Sequence, residues 1–251
     1  MQSLQEPFDV AVVIPTTLRP SLKKAVQSIF EQDLDGRVQI MIGIDKVLGD
    51  KKLLDDFKNR CPDNMALTII DLGYSTSSRH GGLYNNQFGG ALRTILTYAA
   101  NSRYIAYLDD DNWYEPYHLS DMLNAVKGQA CAYSLRWLVN SETMETICED
   151  DFVSVGPGKG IFAQKFGGFV DTNCLILDKM KTHMIIPLWC IALLPDGSGE
   201  DRRFFKVLNK NFKFRCTGRP SVHYVLNVNR YSDVAKWLAD KGFNIPLPQN
   251  Q

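Results

Sequence analysis

Three consecutive aspartates, Asp109, Asp110 and Asp111, are the residues of this sequence with the clearest capacity for chemistry. They follow residues 104–108, an apolar run without Gly or Pro that predicts a buried strand. Adjacent carboxylates repel one another unless a cation neutralises them. Oxygen ligands at the carboxyl end of a strand in an open α/β sheet are typical of a site for a divalent cation and its phosphates. The alternative interpretation is a solvated acidic turn.

Other polar groups stand at similar places in the pattern. The loop PTTLRP, residues 15–20, follows an apolar strand and offers hydroxyl and guanidinium donors, and Asp45 closes the next strand. Arg79 lies among small residues that would let a ligand approach closely. Glu200 and Asp201 follow PDGSG at the start of a predicted helix, where the helix macrodipole favours a carboxylate.

The elements that position these groups alternate in the first half of the chain. Apolar runs predict strands at 10–14, 38–44 and 66–70, and helical periodicity predicts helices at 22–30, 51–60 and 89–100. In the last helix, Leu92, Ile95, Leu96 and Ala99 are predicted to face inward. A strand–helix alternation of this kind predicts a parallel sheet with right-handed crossovers. The long segment 72–88 is predicted to be a functional loop.

The second half of the chain is less regular. The pattern predicts a helix at 118–126, a strand at 131–139, a loop or hairpin at 142–169 and a strand at 169–177. A helix follows Asp201, and the chain then continues through a short strand at 212–215 into a tail that contains His223.

Composition narrows the function classes. The 251 residues carry 28 basic and 28 acidic side chains, and this zero net charge gives no reason to expect a nucleic-acid partner. No window has the length of apolar sequence that a membrane span requires, and the N-terminus lacks the pattern of a signal peptide, so we expect a cytoplasmic protein. The 6 cysteines form no CxxC pair, so neither a zinc nor a redox motif is predicted.

Taken together, the loop IPTTLRP, Asp45, the DDD triplet and a late GED before a helix resemble a glycosyltransferase of the GT-A fold, most similar to family 2 of those enzymes. The resemblance covers about residues 9–209, and YIAYLDDDNWYEPYHL is its most specific part. It implies an α/β, Rossmann-like, mostly parallel central sheet flanked by helices, with a smaller mixed portion on the acceptor side. We expect one domain, with a nucleotide-binding half at about 8–111, an acceptor-binding half at about 112–225 and a C-terminal tail at 226–251.

The resemblance also implies a cofactor and its ligands. In that family a DXD motif binds the metal that holds the donor diphosphate, so the expected cofactor is Mn²⁺ or Mg²⁺. By resemblance Asp111 is the direct metal ligand, assisted by Asp109, and Asp110 contacts the ribose or the metal. His223 matches a late metal ligand that some GT-A enzymes use.

Donor recognition is implied in the same way. Pro15 and Thr16 match positions that frame the nucleoside, and Asp45 accepts a hydrogen bond from the base. Thr17 and Arg19 belong to the same donor-binding loop, and Arg79 matches an arginine that touches the nucleotide. PTTLRP departs from the Tyr and Asn that are commoner in this loop of the family.

The reaction that the resemblance implies is sugar transfer from a nucleotide-sugar, with a UDP-sugar preferred, to an acceptor hydroxyl of a glycan, a lipid-linked compound or a small molecule. Asp201 matches the general base, with Glu200 as the alternative. A base on the far side of the anomeric carbon gives inversion, since the acceptor hydroxyl must lose its proton as it attacks.

Three other functions stay open from the sequence. A retaining GT-A transferase or a sugar-nucleotidyltransferase would share the acidic metal site, although PTTLRP lacks the glycine expected of the second. A non-catalytic nucleotide or sugar binder would share the fold without turnover.

Overall fold

The structure is a computed structural model that describes residues 6–86, 89–227 and 232–243. Its first half alternates strands and helices as the sequence predicts. The elements are β1 (Phe8–Thr16), α1 (Leu22–Phe30), β2 (Val38–Ile44), α2 (Lys52–Arg60), β3 (Met65–Asp71), α3 (Gly90–Ala99) and β4 (Ser102–Tyr107). The continuous apolar runs of β1 and β2 form strands that are buried on both faces, as expected for a parallel sheet covered by helices.

These strands form one parallel unit in the order β3-β2-β1-β4. Because their directions agree, the carboxyl ends of β1, β2 and β4 meet at one edge of the sheet. Thr16 ends β1, Asp45 follows β2 and Asp109 lies shortly after β4, so the predicted polar groups meet there. The α/β prediction is confirmed.

The second half extends the same sheet with mixed strand directions. Its elements are β5 (Trp113–Tyr114), α4 (His118–Val126), β6 (Cys131–Asn140), β7 (Thr146–Glu149), β8 (Gly156–Pro157), α5 (Ala163–Phe166), β9 (Gly168–Phe169), β10 (Leu175–Asp178), α6 (Lys179–Thr182), α7 (Glu200–Asn211), β11 (Phe214–Leu226) and α8 (Ser232–Asp240). The sheet continues from β4 through β10, β6 and β11 to β5. β10 is antiparallel to both its neighbours, whereas β11 is parallel to β6.

Several local predictions were wrong. The strand predicted at 169–177 is interrupted by a 3-10 turn, Thr172–Cys174, because the Asp171 side chain accepts a hydrogen bond from the Asn173 amide. The short strand predicted at 212–215 extends to Leu226, so His223 lies in β11 rather than in a tail. The predicted C-terminal tail contains α8, and its residues 228–231 and 244–251 lie outside the described part of the chain.

The inward face of α3 also differs from the prediction. Ala99 is exposed and Ile95 is only half-buried, whereas Arg93 and Thr97 are buried together with Leu92 and Leu96. Thr97 Oγ1 lies 3.1 Å from the hydroxyl oxygen of Tyr107. Arg93 contacts carboxylates of the site described below. Polar residues therefore occupy part of the buried face because the surrounding structure provides their partners.

Among the described residues, two hydrophobic clusters stabilise the fold. The larger contains residues of β1, β2, β4, β6 and β10 and the helices packed on them. The smaller contains Leu138 of β6, Leu226 of β11 and Val234, Ala235 and Leu238 of α8. No helix among residues 6–86, 89–227 and 232–243 combines the length and apolar character that a bilayer span requires.

Candidate active site

A cavity of about 730 Å³ opens at the carboxyl ends of β1, β2 and β4. The start of α7 and the end of β11 complete its wall. It brings together most of the residues that the sequence predicts for a site. Those lining it are Pro15, Thr16, Thr17, Arg19, Asp45, Asp109, Asp110, Asp111, Glu200 and Asp201.

Asp110 holds the loop after β1 in place. Its Oδ2 accepts a hydrogen bond from Thr16 Oγ1 at 2.6 Å, and its Oδ1 is bonded to the guanidinium of Arg19. Thr16 Oγ1 in turn accepts from the amide of Leu18 at 2.8 Å, and Leu18 adopts a left-handed φ of 62°. This conformation is strained for a non-glycine residue, and such strain concentrates at functional sites. The loop is thus shaped by the buried Asp110.

Asp109 is oriented by two buried partners. Its amide donates to Asn173 Oδ1 at 2.6 Å, while Asn173 Nδ2 donates to its Oδ2 at 3.0 Å. Its other oxygen is bonded to Arg93. The backbone and side chain of Asp109 are therefore fixed, with one side of the carboxylate group held by a cation.

Asp111 has the most accessible carboxylate of the triplet, with 40% of its side chain exposed. Its nearest cationic partner is Arg19 Nη1 at 3.2 Å. Desolvation and the charge of Asp109 raise the pKa of Asp111 to about 6. A carboxylate that is destabilised in this way gains from a divalent cation, because the cation offsets the repulsion.

Glu200 and Asp201 begin α7, which follows Gly199 in the left-handed conformation at φ 80°. Glu200 is 2% exposed, and its Oε2 has no hydrogen-bond partner among the described residues. Burial, reinforced by Asp201, raises the pKa of Glu200 to about 7. Burial also raises the pKa of Asp201, and the charge of Arg202 opposes this shift. The raised pKa values make both groups better proton acceptors than ordinary carboxylates.

Arg93 is a site residue that sequence reasoning missed. It projects from α3 into the cavity wall with a side chain only 5% exposed, and its Nη1 lies 3.8 Å from Oε1 of Glu200. Its guanidinium also lies 5.7 Å from the ring centroid of Trp189. Helical periodicity contains no signal for it, since an arginine in an amphipathic helix is normally assigned to the exposed face.

Asp45 lines the cavity but is already engaged with the segment that follows β3. Its carboxylate accepts hydrogen bonds from Ser75 Oγ at 3.0 Å and from the Thr76 amide at 3.1 Å. It therefore orders the loop beside the predicted nucleoside site. The described part of the loop, 72–86, contains a short 3-10 turn at Ser78–His80, and Gln87 and Phe88 lie outside the described residues.

The structure does not bring Arg79 or His223 to the cavity. Arg79 is exposed in the 3-10 turn and is absent from the cavity lining. His223 Nε2 lies 2.9 Å from Glu115, and its ring stacks on Trp113 at a centroid distance of 4.8 Å. Burial lowers the pKa of His223, so its contacts are those of a neutral ring packed beside the sheet edge.

Further polar residues of the cavity wall come from segments that the sequence left without a role. Except for Arg202 in α7, they lie in loops or near the ends of second-half strands, where pattern gives little guidance. They are Asn112, Ser141, Asp171, Thr172, Ser198, Arg202, Tyr224 and Asn227.

The acidic residues suit a divalent cation by their chemistry, since Asp109 and Asp111 supply hard oxygen ligands. Within the described ranges, no group of three or more His, Cys, Asp or Glu side chains is arranged to hold a metal by itself. Mg²⁺ in phosphate-transfer sites is commonly bound by one or two carboxylates together with substrate phosphates. The residues present fit such a shared site better than an all-protein cage.

No protein-family model matches the sequence, and neither does any curated protein. Similar solved structures include those of S. aureus TarS. Its fragment 1-349 superposes with a TM-score of 0.62 at 13% identity over 95% of this chain and 66% of that one. The same fragment in complex with UDP-GlcNAc superposes with a TM-score of 0.62 at 14% identity, over 95% of this chain and 68% of that one. A longer TarS structure superposes with a TM-score of 0.60 at 12% identity, and this chain spans only 40% of its length. The likeness shows a Rossmann-like GT-A fold.

Proposed function

We propose that this protein transfers a sugar from a nucleotide-sugar, preferably a UDP-sugar, to an acceptor hydroxyl with the help of a divalent cation. The observation that carries the proposal is that the aspartate triplet and the pair Glu200–Asp201 face one cavity at the carboxyl edge of the sheet. Ligand sites of open α/β sheets lie at this edge. The UDP and UDP-GlcNAc complexes of S. aureus TarS, which has a similar fold, support the choice of donor.

In this proposal the donor diphosphate lies beside the triplet. Asp111 and Asp109 would hold Mn²⁺ or Mg²⁺, which supplies Lewis-acid stabilisation of the charge that develops on the leaving diphosphate. Arg19 lies 3.2 Å from Asp111 and is half exposed, so its guanidinium can reach a phosphate from the loop after β1. Asp110 keeps that loop in place through Thr16.

The proton of the acceptor hydroxyl passes to Asp201. Of the two carboxylates, Asp201 is the less buried, and it lies at the border with a neighbouring cavity, whereas Glu200 is 2% exposed. Glu200 is closer to Arg93 and contributes to the buried charge network behind the site. A base on the acceptor side of the anomeric carbon favours an inverting reaction, so the product should have the opposite anomeric configuration to the donor.

The proposal is tested by measuring UDP release from UDP-GlcNAc in the presence of Mn²⁺, with water or an added alcohol as the acceptor. The wild-type protein should release UDP, and Asp201→Asn should reduce the rate by about 10²-fold or more because the base is lost. Asp55→Asn on α2, whose carboxylate is exposed and outside the cavity, is the matched control. The proposed activity would be contradicted if the wild type released neither UDP from UDP-sugars nor GDP from GDP-sugars. A fully active Asp201→Asn protein would contradict the assignment of the base.

A further inference from the structure

A second cavity of about 280 Å³ adjoins the first. It lies between β6, β11 and α8, next to the smaller hydrophobic cluster. Asp171, Asp201, Arg202 and Tyr224 line both cavities. The two spaces therefore meet at Asp201, the carboxylate to which we assign the acceptor proton.

Part of the wall of the second cavity is apolar. Its accessible apolar surface comes from Ile161, which is 38% exposed, and from the half-buried Val153 and Phe162, while the buried Leu138, Leu226 and Val234 complete this part of the lining. Two of its polar residues, Ser232 and Asp233, are exposed at the start of α8. Water gains little from such a wall, whereas an apolar group gains about 25 cal/mol for each Å² that it removes from solvent.

Two charged residues that line this cavity, Arg136 and Asp171, are already paired. Arg136 Nε lies 2.8 Å from Asp150 Oδ2, and Arg136 Nη1 lies 2.8 Å from Asp171 Oδ2. The same guanidinium lies 3.9 Å from the ring centroid of Tyr224. The guanidinium of Arg202 covers Phe162 at 4.8 Å from the ring centroid. Aromatic rings and an ion-paired arginine therefore cover much of this wall, which disfavours a highly charged occupant.

We propose that the second cavity binds the apolar part of the acceptor, and that the acceptor is a hydroxyl compound carrying an aromatic ring or an apolar group of similar size. This inference rests on the proposed function. A cavity of about 150 Å³ can hold one benzene ring, so the second cavity is large enough for a substituted ring. With the ring seated there, the hydroxyl points past Tyr224 to Asp201 and to the donor in the first cavity.

The transfer step balances without a further reactant. The acceptor oxygen forms a bond to the anomeric carbon as the bond from that carbon to the diphosphate oxygen breaks. The acceptor O–H bond breaks, the proton moves to Asp201, and the electron pair of the broken glycosidic bond leaves with the nucleoside diphosphate.

The test compares phenyl β-D-glucopyranoside with methyl β-D-glucopyranoside as probes, by calorimetric titration of the protein in the presence of UDP and Mn²⁺. The wild type should bind the phenyl compound about tenfold more tightly, since the ring is the only part that differs in apolar area. Val234→Trp fills the cavity and should remove this preference. Ile161→Asp, at a lining residue that is 38% exposed, places a charge on this wall and should remove it as well. Lys236→Trp, exposed on the same helix and outside the cavity, should keep it.

Titration of each variant with UDP and with GDP, each with Mn²⁺, separates the two proposals. Equal binding of the phenyl and methyl compounds by a wild-type protein that binds UDP would overturn the acceptor inference alone. A phenyl preference that persists in both Val234→Trp and Ile161→Asp would overturn it too. Failure of every form to bind either UDP or GDP in this titration would overturn the proposed function and, with it, the assignment of the second cavity to an acceptor.

Discussion

Arg93 and Glu200 form a buried ionic contact between the two acidic motifs of the site. The Nη1 atom of Arg93 lies 3.8 Å from Oε1 of Glu200, and the same guanidinium is bonded to Asp109. The side chains of Arg93 and Glu200 are only 5% and 3% exposed. This single cation therefore joins the segment after β4 to the start of α7, although the two lie far apart in the sequence.

Replacing Arg93 by Met should destabilise the fold by about 3 kcal/mol, because the substitution leaves the buried Glu200 and the partly exposed Asp109 without their cation. The loss should be larger at pH 8 than at pH 5, since Glu200 has a pKa of about 7 and is largely protonated at the lower pH. Urea unfolding at the two pH values measures both effects. Arg60→Met, an exposed arginine on α2, is the control and should change stability by less than about 0.5 kcal/mol. Equal stabilities of Arg93→Met and wild type at pH 8 would show that the contact is unimportant.

Glu200 should make stability fall as pH rises. Its pKa is raised from 4.5 to about 7 in the folded protein, so between these values the folded state binds more protons than the unfolded state. The free energy of unfolding must then decrease across this window and level off above it. Glu200→Gln cannot ionise, so it should gain stability relative to wild type as pH rises from 5 to 8.

Thermal unfolding at pH 5 and pH 8 tests this prediction, with Glu142→Gln at an exposed position as the control. The difference between the two pH values should shrink in Glu200→Gln and stay unchanged in Glu142→Gln. Identical pH dependence in wild type and Glu200→Gln would mean that Glu200 does not titrate in this range.

Asp45 should control the order of the loop that follows β3. Its carboxylate accepts from Ser75 Oγ and the Thr76 amide, and hydrogen bonds to an ionised group contribute about 1.5–3 kcal/mol. Asp45→Ala should therefore open this segment more often and speed tryptic cleavage after the exposed Arg79 by about tenfold. Asp63→Ala, at an exposed site before β3, is the control. Mass spectrometry of the first fragments locates the cut, and equal cleavage rates would remove this role from Asp45.

The sequence predicts the first half of the fold well because its signals are local. Continuous apolar runs define β1 and β2, and the apolar spacing of α1 is followed by buried Leu22, Val26 and Ile29. The second half is predicted less well because its strands are interrupted by polar networks. The strand predicted at 169–177 fails at Asp171, whose carboxylate pairs with Arg136 and caps a turn. In β11, Gly218 at φ 86° and Pro220 lie at a bulge, and such residues normally indicate the end of a strand.

The site shows the same division. Asp109, Asp110, Asp111 and Asp45 follow strands, so topology alone places them at one edge of the sheet. Arg93, by contrast, gains its role only from tertiary packing between α3 and the start of α7. The second cavity also depends on residues far apart in the chain, such as Leu138 and Val234, which belong to one hydrophobic cluster. No periodic pattern contains that information.

The most direct test of the central claim is calorimetric titration with UDP, in Mn²⁺ and in EDTA, of the wild type, Asp111→Asn and the control Asp55→Asn. The account predicts that the wild type and Asp55→Asn bind UDP at least about tenfold more tightly with Mn²⁺ than with EDTA. Asp111→Asn should lose most of that difference, because the most accessible carboxylate of the triplet is gone. Binding of UDP that is the same with Mn²⁺ and EDTA in the wild type, or the same in Asp111→Asn as in the wild type, would contradict the assignment of the triplet to a metal-dependent donor site.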